Sequence, residues 1–379
     1  MREYLLVLLV AVGTTHLLAG LCRNIAVRTG ALASVRSRDV HTQPIPYFGG
    51  VAMFGGLAMA FLLAVQLPFL GRYTAVEHDA SAVLWAGLVI TVIGVLDDKY
   101  DMPAMVKLGG QVLAAGVAVL QGVRIYWIPL PNRIVALDDA TSILVTVFFI
   151  ALCVNAVNFV DGLDGLAGGI VAIGSGAFFS YTYVLAYEQE LIRATTASLI
   201  TVATCGIAIG FLLHNVHPAK MFMGDSGAML LGLLMAMSTI SFTGQLDPGA
   251  LAQGENLLPA LLPILLPLAA LSLPFLDLVL AWVRRTWNGQ HVFHPDKQHL
   301  HHRLLARGHS HWGAVLLMYG WTAVVTVGLV VVTLLPGTPT LWALGLALVV
   351  VVVLTLRPVR SAPPELPADT DVVDPARRG

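Results

Sequence analysis

Long apolar runs joined by short polar connections fill the chain as far as about residue 356. Eleven of these runs approach the ~20 residues a helix needs to cross a bilayer. They cover roughly 4–21, 46–68, 83–96, 106–122, 141–157, 165–187, 195–213, 226–242, 257–283, 314–336 and 340–356. The third is short and runs straight into Asp97 and Asp98. None shows the strict alternation of a membrane barrel strand. The pattern predicts an all-α polytopic integral membrane protein of about eleven transmembrane helices. In the first run Arg2 is cancelled by Glu3, while Arg23, Arg28, Arg36 and Arg38 follow it. A cleaved signal carries its positive charge in front, so the run reads as a retained helix with its N-terminus outside.

Composition supports this class. Of 379 residues, 57% are hydrophobic and 11% charged, against about 25% charged in an ordinary soluble domain. The formal net charge of −1 argues against a nucleic-acid binder. Cys22, Cys153 and Cys205 are odd in number and have no metal-like spacing, so they read as small core residues.

The distribution of charge says more than its sum. Eleven spans starting outside put sixteen of the twenty-one Lys and Arg on the cytoplasmic side, leaving Arg2, Arg72, Arg124, Arg133 and Arg193 outside. That is a positive-inside bias, and it predicts a cytoplasmic C-terminus. Residues 1–356 read as one membrane domain and 357–379, rich in Pro, Asp and Ala, as a disordered cytoplasmic tail. Ten of the twelve histidines fall on the same side, as do Asp97, Asp98, Asp101, Asp161, Asp164, Asp225 and Asp296. One such carboxylate is an ordinary loop charge. Several facing each other at a membrane surface repel unless a cation or shared proton intervenes.

Four segments carry this chemistry. Asp97-Asp98 ends the third run, with Lys107 and Gln111 opening the fourth; an acidic pair can hold a cation and leave an oxygen as base. Asn155-Ala-Val-Asn158-Phe-Val-Asp161-Gly-Leu-Asp164-Gly spaces its polar groups by three, which stacks them on one face of a helix or turn. A calcium loop of the EF-hand type is the nearest generic alternative, but its closing glutamate is missing. Met223-Gly224-Asp225-Ser226-Gly227 opens the eighth run, where helix amides favour an anion and Asp225 offers a metal carboxylate. The last, His291 to Arg303, follows Arg284 and Arg285 and reads as a cationic lid over a diphosphate. Zinc is an alternative for His299, His301 and His302, but no cysteine or carboxylate completes the usual spacing.

Together these segments resemble the polyprenyl-phosphate N-acetylhexosamine-1-phosphate transferase superfamily, in that family's order. The stretch His41-Thr-Gln-Pro44-Ile-Pro46-Tyr-Phe-Gly49-Gly50 and the HLHH pattern at 299–302 resemble its WecA-like branch rather than the phospho-MurNAc-pentapeptide branch. The resemblance implies a bacterial plasma-membrane enzyme with its active site on the cytoplasmic face. It would transfer GlcNAc-1-phosphate from UDP-GlcNAc to undecaprenyl or decaprenyl phosphate. The products would be polyprenyl-diphosphate-GlcNAc and UMP, in the first membrane step of a cell-envelope polysaccharide pathway. It implies Mg²⁺, with Mn²⁺ as a substitute, held by Asp225 with Asn158. Asp97 would deprotonate or orient the lipid phosphate and Asp98 would support it or the metal. Asp161 and Asp164 would line the nucleotide end. Lys107, His41, Arg284, Arg285, His299, His301, His302 and Arg303 would bind substrate. One departure stands out: Ala228 replaces the serine of the family's GDxGS.

Within the enzyme class, a phospho-MurNAc-pentapeptide transferase or a transferase for another UDP-HexNAc is the alternative. Outside it the rival is a transporter, which would place its polar groups near the midplane and show internal repeats. A structural membrane scaffold would need none of these acid and histidine clusters. Small residues on several spans would permit a homodimer.

Overall fold

The computed structural model describes residues 1–29, 46–130, 133–188, 194–243, 265–266, 268–287 and 300–357. Its helices are α1 (Arg2–Thr29), α2 (Gly49–Gln66), α3 (Thr74–Tyr100), α4 (Ala104–Leu120), α5 (Asp139–Val160), α6 (Leu166–Glu188), α7 (Ala194–Asn215) and α8 (Gly224–Thr243). After these come α9 (Ser272–Trp287), α10 (Leu300–Ala306), α11 (His311–Leu334) and α12 (Thr338–Leu356). Among the described residues nine helices are long and apolar enough to cross a membrane; α4, at seventeen residues, is a shorter apolar one. The ninth apolar run begins outside the described residues and reaches into α9, and the proposed tail from residue 358 lies wholly outside them.

Two features differ from the sequence reading. The third helix is not confined to 83–96 but spans Thr74–Tyr100, so Asp97 and Asp98 sit in its last turn. Its polar opening is tolerated because Asp79 is buried and accepts a hydrogen bond from the Ser241 hydroxyl of α8, which removes much of the cost of burying the group. The chain is also not purely helical: β1 (Trp127–Leu130) and β2 (Arg133–Ala136) pair antiparallel between α4 and α5, with Trp127 opposite Ala136. The approach to this hairpin is tied to α5, whose Thr146 hydroxyl accepts from the Ile125 N–H at 2.9 Å.

Local signals set several helix starts. Asp138 caps α5 by accepting from the Thr141 N–H at 3.2 Å, and these bonds hold its carboxyl below the usual range. Ser310 caps α11 through the Gly313 N–H. Around this frame, α8 is the axis of the bundle. It packs against α3, α5, α7 and α2, while α1 closes over α2 and α7, and α11 leans on α6. All residues of α8 from Ser226 to Thr243 are buried. By contrast α12 packs mainly on α11 and buries Val351 alone.

Candidate active site

The N-terminus of α8 meets α2 and α3 at backbone contact. A Cβ on Gly50 of α2 would overlap the Ser226 carbonyl carbon and hydroxyl, and one on Gly94 of α3 would overlap the Ser226 Cα and N. Only residues without a side chain let three helices converge there. The segment leading into α2 is locked on as well, since Gly49 and Gly50 donate to the carbonyls of Phe222 and Met223, and Phe222 N–H donates to that of Pro46. The glycines of the PIPYFGG stretch thus fix the chain that presents Asp225.

This packing puts Asp98 directly against the start of α8. Its carboxylate accepts from the Asp225 N–H at 2.7 Å, the Ser226 N–H at 3.3 Å and the Ser226 hydroxyl at 2.9 Å. Gly224 turns the chain here with φ of +68°, and a Cβ on it would collide with that carboxylate. The helix-start amides expected to receive a phosphate therefore already hold an anion, Asp98, which satisfies orphan donors and favours the positive end of the helix.

Asp97 faces the other way. It is 6% exposed; one oxygen accepts from the Met102 N–H at 2.8 Å and the other pairs with Lys107 Nζ at 2.7 Å. The same ammonium pairs with Asp225 at 2.7 Å. Asn158 lies beside Asp225. Behind them Gln111 and Asn155 exchange amide hydrogen bonds, one at 2.6 Å, tying α4 to α5. The sequence-predicted residues Asp97, Asp98, Lys107, Asn158 and Asp225 are thus brought together by α3, α4, α5 and the start of α8.

Asp161 ends α5 in the loop before α6. Burial, then the nearby charges of Asp225, Asp98 and Asp164, push its carboxyl up to about 8. Among the described residues, Asp97, Asp98, Asp161 and Asp225 gather at this end of the bundle while Lys107 pairs with two of them, a deficit of positive charge that a divalent cation would answer. The donors around Asp225 are all oxygens from carboxylates and an amide, the set Mg²⁺ takes.

Asp164 occupies a neighbouring position. It accepts from His217 at 2.7 Å and from the Ala219 N–H at 3.1 Å. His217 stacks on His311 with ring centroids 4.0 Å apart. The loop holding Asp164 is clamped by Asn215, which accepts from the Gly165 N–H and donates to the Met221 carbonyl, and by the Tyr319 hydroxyl, which donates to the Gly165 carbonyl. Sequence reasoning missed Asn215, His217, His311 and Tyr319 as parts of this region. A signal existed for the first two, since Asn215-Val-His217 lies just before the Met223-Gly224-Asp225 motif. Tyr319 sits inside an apolar run and gave none.

The remaining expectations divide simply. Arg284 lies half-buried near the end of α9 and Arg303 is exposed on α10. The side chains of Arg285, His301 and His302, and the whole of His41 and His299, lie outside the described residues.

Residues 80–243, which run from α3 to the end of α8, match glycosyl transferase family 4. The chain is 41% identical over 370 residues to a decaprenyl-phosphate N-acetylglucosaminephosphotransferase of Mycolicibacterium smegmatis, covering 96% of this chain and 91% of that protein. A protein of the same description from Mycobacterium tuberculosis H37Rv is 44% identical over 333 residues, covering 86% and 82%. A probable undecaprenyl-phosphate N-acetylglucosaminyl 1-phosphate transferase of Bacillus subtilis is 33% identical over 312 residues, covering 82% and 80%. With likeness of this extent spanning every element that builds the acidic cluster, the chain belongs to glycosyl transferase family 4.

Proposed function

We propose that this protein transfers GlcNAc-1-phosphate from UDP-GlcNAc to a polyprenyl phosphate, giving polyprenyl-diphosphate-GlcNAc and UMP. The relatives at 41–44% identity carry the names of decaprenyl-phosphate N-acetylglucosaminephosphotransferases, so decaprenyl phosphate is the acceptor of choice. The observation that carries the reading is the Lys107 ammonium held between Asp97 and Asp225, at 2.7 Å from each. It is a charged, mostly buried cluster at the membrane end of a bundle, suited to two phosphates that must approach one another. The site lies on the cytoplasmic face on this reading, supported by the gathering of sixteen of the twenty-one basic residues on one side.

Asp225 and Asn158 would hold Mg²⁺, with Asp161 close behind. The bound ion would offset phosphate charge and polarise the diphosphate. The rest falls to the chain's own side chains. A lipid phosphate oxygen attacks the sugar-bearing phosphorus of the donor, and the bond from that phosphorus to the bridging oxygen breaks, so that UMP leaves. Asp97, steadied on one oxygen by the Met102 N–H, takes or orients the acceptor's proton. Lys107 is placed to hold phosphate oxygens as charge builds between the reactants. Asp98 is a positioning residue, since its oxygens are engaged by the start of α8. Asp161 and Asp164 would line the nucleotide end, and Arg284 on α9 and Arg303 on α10 would hold the diphosphate. Direct transfer needs one base and is preferred to a phosphorylated Asp97.

The test is UMP release by purified protein supplied with UDP-GlcNAc, decaprenyl phosphate and Mg²⁺, with EDTA and UDP-MurNAc-pentapeptide as controls. Lipid- and metal-dependent release from UDP-GlcNAc is the expected result. Turnover confined to the muropeptide donor would overturn the choice of sugar, and no turnover with either would overturn the reaction.

A further inference from the structure

We infer that Asp164, His217 and His311 form a second cation site, suited to a transition-metal ion of the zinc class. The three residues come from the loop between α5 and α6, the connection between α7 and α8, and the first residue of α11. One ligand atom from each lies within 4.8 Å of the other two. Asp164 is 4% exposed, and both histidines are half-buried.

The chemistry separates this trio from the acidic cluster. Around Asp225 the donors are oxygens, beside a lysine ammonium. Here two imidazoles join one carboxylate, the mixed nitrogen and oxygen set that zinc accepts with a fourth position left to water. Imidazole nitrogen favours zinc, cobalt or nickel over magnesium. Donors about 2.0–2.2 Å from an ion stand roughly 3.3 Å from each other in tetrahedral geometry, so side-chain shifts of about 1 Å close the site.

A plainer account makes Asp164 and His217 a hydrogen-bonded clasp, with His311 stacked on it as packing. That account explains the 2.7 Å contact. It does not call for a ligand atom of the second imidazole to stand within 4.8 Å of both the carboxylate and the first ring, as one does here, with the two rings nearly parallel at 18°. A divalent ion uses both rings in their neutral form and balances the carboxylate. Bound there, it would staple α11 to the two connections, beside the Tyr319 hydroxyl bond to Gly165. Binding requires neither donor nor acceptor, so it stands or falls independently of the transferase reading.

The experiment uses full-length protein in detergent, stripped with chelator and titrated with Zn²⁺ under excess Mg²⁺, with bound metal counted by elemental analysis. One equivalent should bind to the wild type and raise its melting temperature. His311→Gln and His217→Gln should each weaken that binding about 10-fold or more. Asp225→Asn and the double variant His301→Ala/His302→Ala should retain it. Should either glutamine variant fold poorly, wild-type protein modified with diethyl pyrocarbonate and mapped by mass spectrometry gives the same answer. Zn²⁺ should then protect His217 and His311. Absence of a tight equivalent in the wild type, its persistence in His311→Gln, its loss in the 301/302 double variant, or protection confined to histidines 291–302 would each overturn the site.

Discussion

Helices α8 and α12 are both long and apolar enough to cross a membrane, yet the more apolar of the two, α12, is the less buried. Helix α12 is rich in Leu and Val and turns Leu341, Trp342, Leu346 and Val353 outward. Helix α8 carries Gly, Ser, Thr and Met on a helix enclosed on every side. In water this order would be inverted. In a bilayer the surroundings are already apolar, so hydrophobicity marks the face toward lipid, whereas close packing needs small residues and polar groups with partners. Charged groups gather where a helix is shielded from lipid, and here the acidic cluster sits at the mouth of α8.

The comparison can be broken most forcefully at Asp225. Asp225→Asn should lower UMP release on the order of 10³-fold or more while leaving the protein folded, as read by turnover alongside a thermal melt. Deeper in the same helix, a Cβ on Gly232 would overlap the Val154 backbone of α5. Gly232→Leu should therefore cost about 1–3 kcal/mol or more and appear as lost yield and a lowered melting temperature. Ser226→Ala removes the hydroxyl that Asp98 accepts, costing about 1 kcal/mol, with reduced kcat if Asp98 positions α8. A smaller effect concerns pH. The carboxyl of Asp161 is raised to about 8, so the folded state holds a proton that the unfolded state releases at ordinary carboxylate values. Stability should thus decline as pH rises from about 4 to about 8, and metal-free Asp161→Asn should show a shallower decline in melting temperature. The smallest change is expected on α12, where Leu346→Ala should stay within ~0.5 kcal/mol. A large loss there would show that this face is covered by something other than lipid.

Much of this was legible in the sequence. The apolar runs anticipate the helices because the bilayer imposes a length, and the polar residues stand out because each is costly in such surroundings. The motifs single out Asp97, Lys107, Asn158 and Asp225, which the fold gathers at one end of the bundle. What stayed hidden depends on partners far along the chain. The start of α3 could not be placed because Asp79 is tolerated through Ser241, 162 residues away. The engagement of Asp98 was invisible because the amides it accepts from lie 127 and 128 residues on. His311 and Tyr319 act on a loop whose contact with α11 no local pattern announces. The short hairpin between α4 and α5 leaves no mark in the sequence because its strands are four residues each, below the length at which alternation speaks.

The meeting of Gly50 and Gly94 on Ser226 bears on how the enzyme responds to its membrane. Spacings set by side chains breathe, because rotamers exchange and thicker or thinner bilayers tilt the helices that carry them. A spacing set by main chain against main chain has almost no compliance. The gap between the end of α3 and the mouth of α8 is therefore gauged by hard contact, while peripheral α12 is free to absorb the strain. The geometry of the acidic cluster should therefore be nearly indifferent to lipid chain length, even where the stability of the whole molecule is not.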